Sequence, residues 1–378
     1  MTEATEDFKE LLWTQRIDPP YYVNSAAISA AGDRVVAGTF YLGYSTKSAG
    51  LPMEFGTYCF DSGGKQIWAD RFQGAEGVYA VAVSADGTTA ASGGRMVEEQ
   101  GFIRAYEAMS GQQLANYSTG ARVNQLALSR DGETLVAAAD QVYLAQRTNG
   151  VFPQNPSTHA VPGTANNVQS VSAPLDGSWF VIGDKAGTVY LIENDSGQIG
   201  NVYPSATGLL TTVHCVAASG NGEWFVAVGY SADVYLFNTD SIQKGGYVDK
   251  LALGSAGRTG WAAISLEGGL ISVVQNDGGA GRVYFLENDN GVLSQLWSQP
   301  TLANPNSTSM DASGEHVTVA DGYPDGTPGH FYLFNGQNGE ALWSFTTPNM
   351  NWPMFISSSG NGIAAGTDDG IIYYFTPK

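Results

Sequence analysis

The chain has 378 residues, 48 of them glycine, and a formal net charge of -19 from 17 basic and 36 acidic side chains. That balance sets aside nucleic acid and anionic membrane surfaces as partners, and no apolar run reaches the ~20 residues of a spanning helix. Glycine at this level, with only 14% charged residues, suits short strands joined by tight turns rather than a helical repeat.

The start, Met1 to Asp7, is acidic and has no basic stretch ahead of an apolar one. As written it predicts a cytoplasmic chain; an export signal upstream would make it extracytoplasmic. The first strand-like segment is 11–17, Leu-Leu-Trp-Thr-Gln-Arg-Ile. It resembles the ends of later repeats, such as Gln66 to Phe72 and Ala341 to Phe345, which read as fourth strands. Eight repeats then follow, at about 23–72, 77–119, 122–161, 168–206, 213–253, 259–301, 306–347 and 351–376. Each holds an apolar run, a turn with glycine, a second run, a Val-Tyr-Leu-like third run and a looser fourth. The first carries an insertion, Phe40 to Met53, long, aromatic and without regular pattern. The outer part of the third contains Pro153, Pro156 and Pro162, which an edge strand tolerates. The eighth stops after three strands, at Ile371 to Phe375.

The turn glycine is the ruler. It recurs at Gly32, Gly87, Gly132, Gly177, Gly222, Gly268, Gly314 and Gly360, in steps of 55, 45, 45, 45, 46, 46 and 46 residues. Repeats of this length that each bury one face on a neighbour predict a radial array. The segment the last repeat lacks is the one with which the chain begins. The predicted fold is therefore all-β: an eight-bladed β-propeller of four-stranded antiparallel blades, a single domain over 1–378. Residues 11–17 close the ring as the outer strand of the last blade. The third-strand aromatics, recurring at a fixed position, predict packing between blades. Cys59 and Cys215 fall in apolar strands of blades one and five, predicting two free, buried thiols.

These copies resemble the β-propellers of the quinoprotein-like superfamily with its PQQ-like repeats, cousins of WD40 propellers. The stretch Asp61 to Trp68 is similar to that family's tryptophan-docking motif, with shorter echoes at Asn338 to Trp343 and Asn290 to Trp297. The resemblance implies eight blades. Its dehydrogenase branch usually has a vicinal cysteine pair, which this sequence lacks, and long active-site insertions, where these blades are nearly minimal. The Gly-His and Trp-Asp pairs of WD40 chains do not recur.

In such a ring the first strands line a central channel. The residue eight before each ruler glycine marks its mouth: Asn24, Tyr79, Asn124, Gln169, His214, Gly260, Asn306 and Trp352, with Trp261 just inside. Loops on the same face add Tyr44, Arg95, Tyr230 and several aspartates, and together predict an acidic, aromatic-lined funnel. The candidate ligand-binding residues are Tyr44, Tyr79, Arg95, Asn124, His214, Tyr230, Trp261 and Trp352. The expected partner is a small polar or cationic molecule, or a protein or peptide. No cofactor is predicted; calcium is the ion that Asp184, Asp277, Asp321 and Asp368 would suit if they approached the axis. His214 is the best single candidate for a general base, against a neutral imidazole bonded to backbone. His159 and His330 are expected in loops. The sequence thus favours a non-enzymatic binding module. The alternative is an enzyme working at the funnel, as a divergent cofactor-dependent dehydrogenase, a lyase or a hydrolase.

Overall fold

The computed structural model describes residues 9–17, 22–40, 54–73, 75–96, 100–162, 167–206, 208–254, 257–276 and 281–377. They form eight four-stranded antiparallel blades arranged as a propeller; a single bridge, Phe40 to Gly77, joins the sheets of blades one and two. Leu11–Arg16 pairs antiparallel with Ile371–Phe375, from Leu11 opposite Phe375 to Arg16 opposite Ile371, so the N-terminal strand completes the last blade. The third-strand aromatics Tyr58, Tyr106, Tyr190, Tyr284, Tyr332 and Phe375 are buried in clusters that span neighbouring blades. Both cysteines are free and buried, and burial pushes each thiol up to about 12.

The ruler glycines owe their regularity to backbone conformation. All eight have positive φ, between 62° and 80°, which close a tight turn and which any side chain would strain. The turns also form a belt. Ala30 donates to the Ala85 carbonyl, Asp86 to Arg130, Arg130 to Leu175, Leu175 to Gly220, Asn221 to Leu266, Leu266 to Ala312, Ala312 to Ser358, and Ser359 back to Ala30. This circle of backbone hydrogen bonds draws the turn-bearing end of the channel together and leaves the opposite end as the mouth.

Tryptophans pin adjacent blades. Trp68 lies on Gly111 and donates from Nε1 to the Ala108 carbonyl at 2.8 Å; Trp297 lies on Gly339 and donates to Gly336 at 2.7 Å. A Cβ on either glycine would meet the indole at 2.6–2.7 Å, so only glycine admits the ring. Two local departures from the expected pattern stand out. Blade three's outer strand is only Ser157–His159, which puts His159 in a strand. Blade five replaces part of its hairpin with one helical turn, Thr239–Gln243, capped by Asn238 and Ser241. The segment 41–53, most of the predicted insertion, lies outside the described residues.

Candidate functional site at the channel mouth

The mouth is built from β-bulges. Between the first and second strands the register slips across Asn24, Tyr79, Gln169, His214, Gly260 and Asn306, and across Trp352 and Pro353 in blade eight. In blade three the ladder begins at Gln125, directly after Asn124. A bulge leaves one residue out of the ladder and re-aims its side chain. Seven of the eight positions read from the sequence therefore lie at bulges, and Asn124 sits at the edge of its ladder.

Behind it lies a cavity of about 790 Å³, lined at the mouth by Asn24, Tyr79, Asn124, His214, Asn306 and Trp352. Its deeper walls are apolar, with Ala26, Ile28, Val81, Val83, Leu126 and Ile356. Trp261 and Phe355 meet edge to face in its lining, centroids 6.2 Å apart at 64°. The charged side chains of this lining are Glu76, Arg95 and Arg122. Where the sequence predicted an acidic funnel, the described lining holds two guanidiniums against one carboxylate.

Several mouth residues are latches between blades. Asn124 Nδ2 donates to the Val168 carbonyl at 2.6 Å, and Asn306 Nδ2 to the Asn351 carbonyl at 2.7 Å. His214 Nδ1 meets the Gly260 carbonyl at 2.6 Å, so that nitrogen carries the proton. Each side chain reaches 44 to 46 residues ahead, to the equivalent place on the next blade. Burial holds the His214 imidazole below its ordinary 6.5, against the raising pull of that carbonyl, so it is neutral at pH 7. Its ring stacks on Tyr230 at 5.7 Å, and Tyr230, 45% exposed, carries the Arg258 guanidinium over its ring at 5.0 Å. Tyr79 packs on Phe40 at 5.2 Å and beneath Arg122 at 4.7 Å. Arg95 pairs with Glu76 at 3.2 Å. Tyr44 and Asp277 lie outside the described residues.

The aspartates expected near the axis serve their own blades. Asp184 accepts from Thr188 N at 2.8 Å and Tyr190 Oη at 3.1 Å. Asp321 accepts from Ala303 N, His330 N, His330 Nδ1 and Tyr332 Oη, all within 2.9 Å. His330 is thus a strand residue paired with an acid, not a loop histidine. Among the described residues the one set of ligand atoms within 4.8 Å is Asp311, Glu315 and His316, a group able to hold a divalent cation such as calcium. It sits in the turn of blade seven, away from the mouth. Asp311 takes the place that serine holds in other turns: Ser84 and Ser129 receive Thr89 N and Thr134 N, as Asp311 receives Glu315 N at 2.9 Å and His316 Nδ1 at 2.8 Å.

Asp368 behaves differently. Burial raises its carboxyl to about 7 from an ordinary 3.8, against the hydrogen bond that Trp352 Nε1 donates to it at 2.7 Å. A raised carboxyl pKa means that the folded chain keeps a proton the unfolded chain has released. The site's stability is then full below the ordinary carboxyl range and declines as pH rises toward about 7. Tryptophan emission is expected to titrate with a midpoint near that value as the Trp352 bond gains charge, and the transition is expected to vanish in Asp368→Asn. A titration unchanged in that variant would separate the two side chains.

No family model matches the chain, and no curated protein matches it. Solved structures do. Sqt1 of Chaetomium thermophilum, bound to the N-terminus of the ribosomal protein L10, is similar with a TM-score of 0.75 at 12% identity, over 98% of this chain and 100% of that one. Sqt1 alone from the same organism gives 0.76 at 12%, covering 98% of each chain. The Cps50 (Swd1) β-propeller domain of Myceliophteria thermophila gives 0.62 at 14%, over 81% of this chain and 98% of that one. At such identities the likeness shows the fold alone: a β-propeller.

Proposed function

We propose that the chain is a non-enzymatic binding module whose channel mouth receives a peptide segment of a partner protein. The observation that carries this is the open cavity of about 790 Å³ behind the mouth ring, polar and aromatic at the rim and apolar within. Such lining fits side chains of a ligand while polar groups at the rim fix its path. The fold likeness to Sqt1, whose structure is bound to the N-terminus of the ribosomal protein L10, supports a peptide over a small polar molecule. His214 supports binding over catalysis: it is neutral, stacked on Tyr230 and bonded to a carbonyl, with no carboxylate bonded to it among the described residues. The quinoprotein-like and PQQ-like part of the resemblance adds architecture to this reading and no cofactor.

The test is selection of a random-peptide display library on the immobilised protein, with recovered peptides re-bound to wild type and to Trp352→Ala. Specific peptides are expected, weakened at least about tenfold by the variant, the usual scale for an aromatic anchor. Recovered peptides that bind the folded variant as well as the wild type would move the site off the mouth and end this reading.

A further inference from the structure

We infer that the mouth selects a peptide segment carrying a carboxylate beside an apolar or aromatic side chain, with the Arg122 guanidinium as its anchor. The inference rests on the peptide-binding reading above and adds the charge of the ligand. Arg122 is half-buried in the bend before blade three and lines the cavity. Its Nε donates to Asn124 Oδ1 at 2.9 Å, and Asn124 is itself tied to Val168. The Tyr79 ring covers one face at 4.7 Å. One edge and one face are thus held, the guanidinium also hydrogen-bonds the Tyr79 hydroxyl, and of its five N–H donors some are left to meet a ligand in the cavity it lines.

Five arginines have an anion within the chain; Arg71, Arg130, Arg258 and Arg282, like Arg122, have no ion pair among the described residues, but of these Arg122 alone lines the cavity. Arg104 meets Asp70, Arg147 meets Glu133, Arg16 meets Asp369, and Arg95, in the same wall as Arg122, is neutralised by Glu76. Arg122 has no such ion pair among the described residues, although acids outnumber bases 36 to 17. A half-buried cation beside an apolar wall is costly until an anion meets it, and an incoming carboxylate would supply that anion in bidentate form. Trp352, Trp261 and Phe355 stand ready for the neighbouring side chain. The overall charge of -19 would draw a basic segment to the outer surface. At the mouth that field is screened within ~8 Å, and the nearest charge decides.

The recovered peptides are synthesised with free and with amidated C-termini and titrated calorimetrically against wild type, Arg122→Gln and Arg122→Lys. Asp or Glu beside Trp, Phe or Leu is expected to dominate the recovered sequences. Arg122→Gln is expected to weaken binding at least about tenfold, and Arg122→Lys to restore part of it as charge without the fork. Wild-type affinity should also fall with added salt, a readout independent of any variant. Loss on amidation would assign the carboxylate to a chain terminus; retention would assign it to a side chain. Peptides rich in Lys or Arg, salt-independent binding, or acidic peptides that bind a folded Arg122→Gln unchanged would overturn the inference and leave peptide binding standing. Recovery of no Trp352-dependent peptide would overturn both.

Discussion

Trp13→Ala is expected to lower stability by about 3 kcal/mol, and removal of residues 1–16 to abolish the cooperative melt of the ring. Trp13 touches both ends of the circle. On the last blade it stacks flat on Tyr374, centroids 5.2 Å apart at 3°. On the first it packs against Phe60 at 5.8 Å, lies over Gly64, and donates from Nε1 to the Ser62 carbonyl at 2.9 Å. Tyr374 adds a second weld, donating to the Gly32 carbonyl 342 residues away. Deleting the strand would strip the ladder partner from Ile371–Phe375 and leave an unpaired apolar edge, a template for pairing with another copy. Chemical denaturation followed by circular dichroism, with light scattering across a concentration series, reads both effects. A truncated chain that melts like the intact one and stays monomeric would show that closure does not depend on this strand. Trp68→Ala is the internal comparison: the same docking chemistry, but between blades one and two, which the chain already joins.

The blades were legible in the sequence because one backbone requirement, a positive φ at the turn, recurs in every copy and only glycine meets it cheaply. Closure was legible because Leu11 to Ile17 matches a strand that the last repeat lacks. The positions of the mouth residues were legible for the same reason of phase. Their partners were not. Asn124 and His214 read as ligand contacts, and Asn306 as a member of the mouth ring, because a sequence reports residue type and position. Their partners are carbonyls one repeat further on, which carry no residue identity at all. The bulges at His214 and Asn306 are a property of two strands in register and leave no mark on either alone. Charge misled in a different way. The loop aspartates predicted an acidic funnel, yet two of those expected there, Asp184 and Asp321, are bonded to tyrosine hydroxyls and backbone amides. Each of these two acids stands at the end of a second strand and its tyrosine in the third strand, so the hairpin brings them face to face.

Asp321→Ala is expected to cost at least about 3 kcal/mol, the same in calcium as in chelator. Asp321 is fully buried and satisfies four donors: Ala303 N at 2.9 Å, His330 N at 2.7 Å, His330 Nδ1 at 2.9 Å and Tyr332 Oη at 2.8 Å. Alanine would leave these donors facing a void, and a buried donor without a partner costs more than its bond contributed. Asp184→Ala should cost less, because Asp184 receives two donors, Thr188 N and Tyr190 Oη. Asp321→Asn should fall between, since its amide keeps the volume but turns one acceptor toward a donor. Urea denaturation in chelator and in calcium separates this role from the ion-binding one read from sequence. A carboxylate that held an ion would make the wild type, and not the variant, more stable in calcium. A carboxylate that organises donors from the loop at Ala303 and the strand Gly329–Asn335 would make the loss independent of the metal. The second result is expected, because both oxygens already accept two hydrogen bonds each from the protein itself.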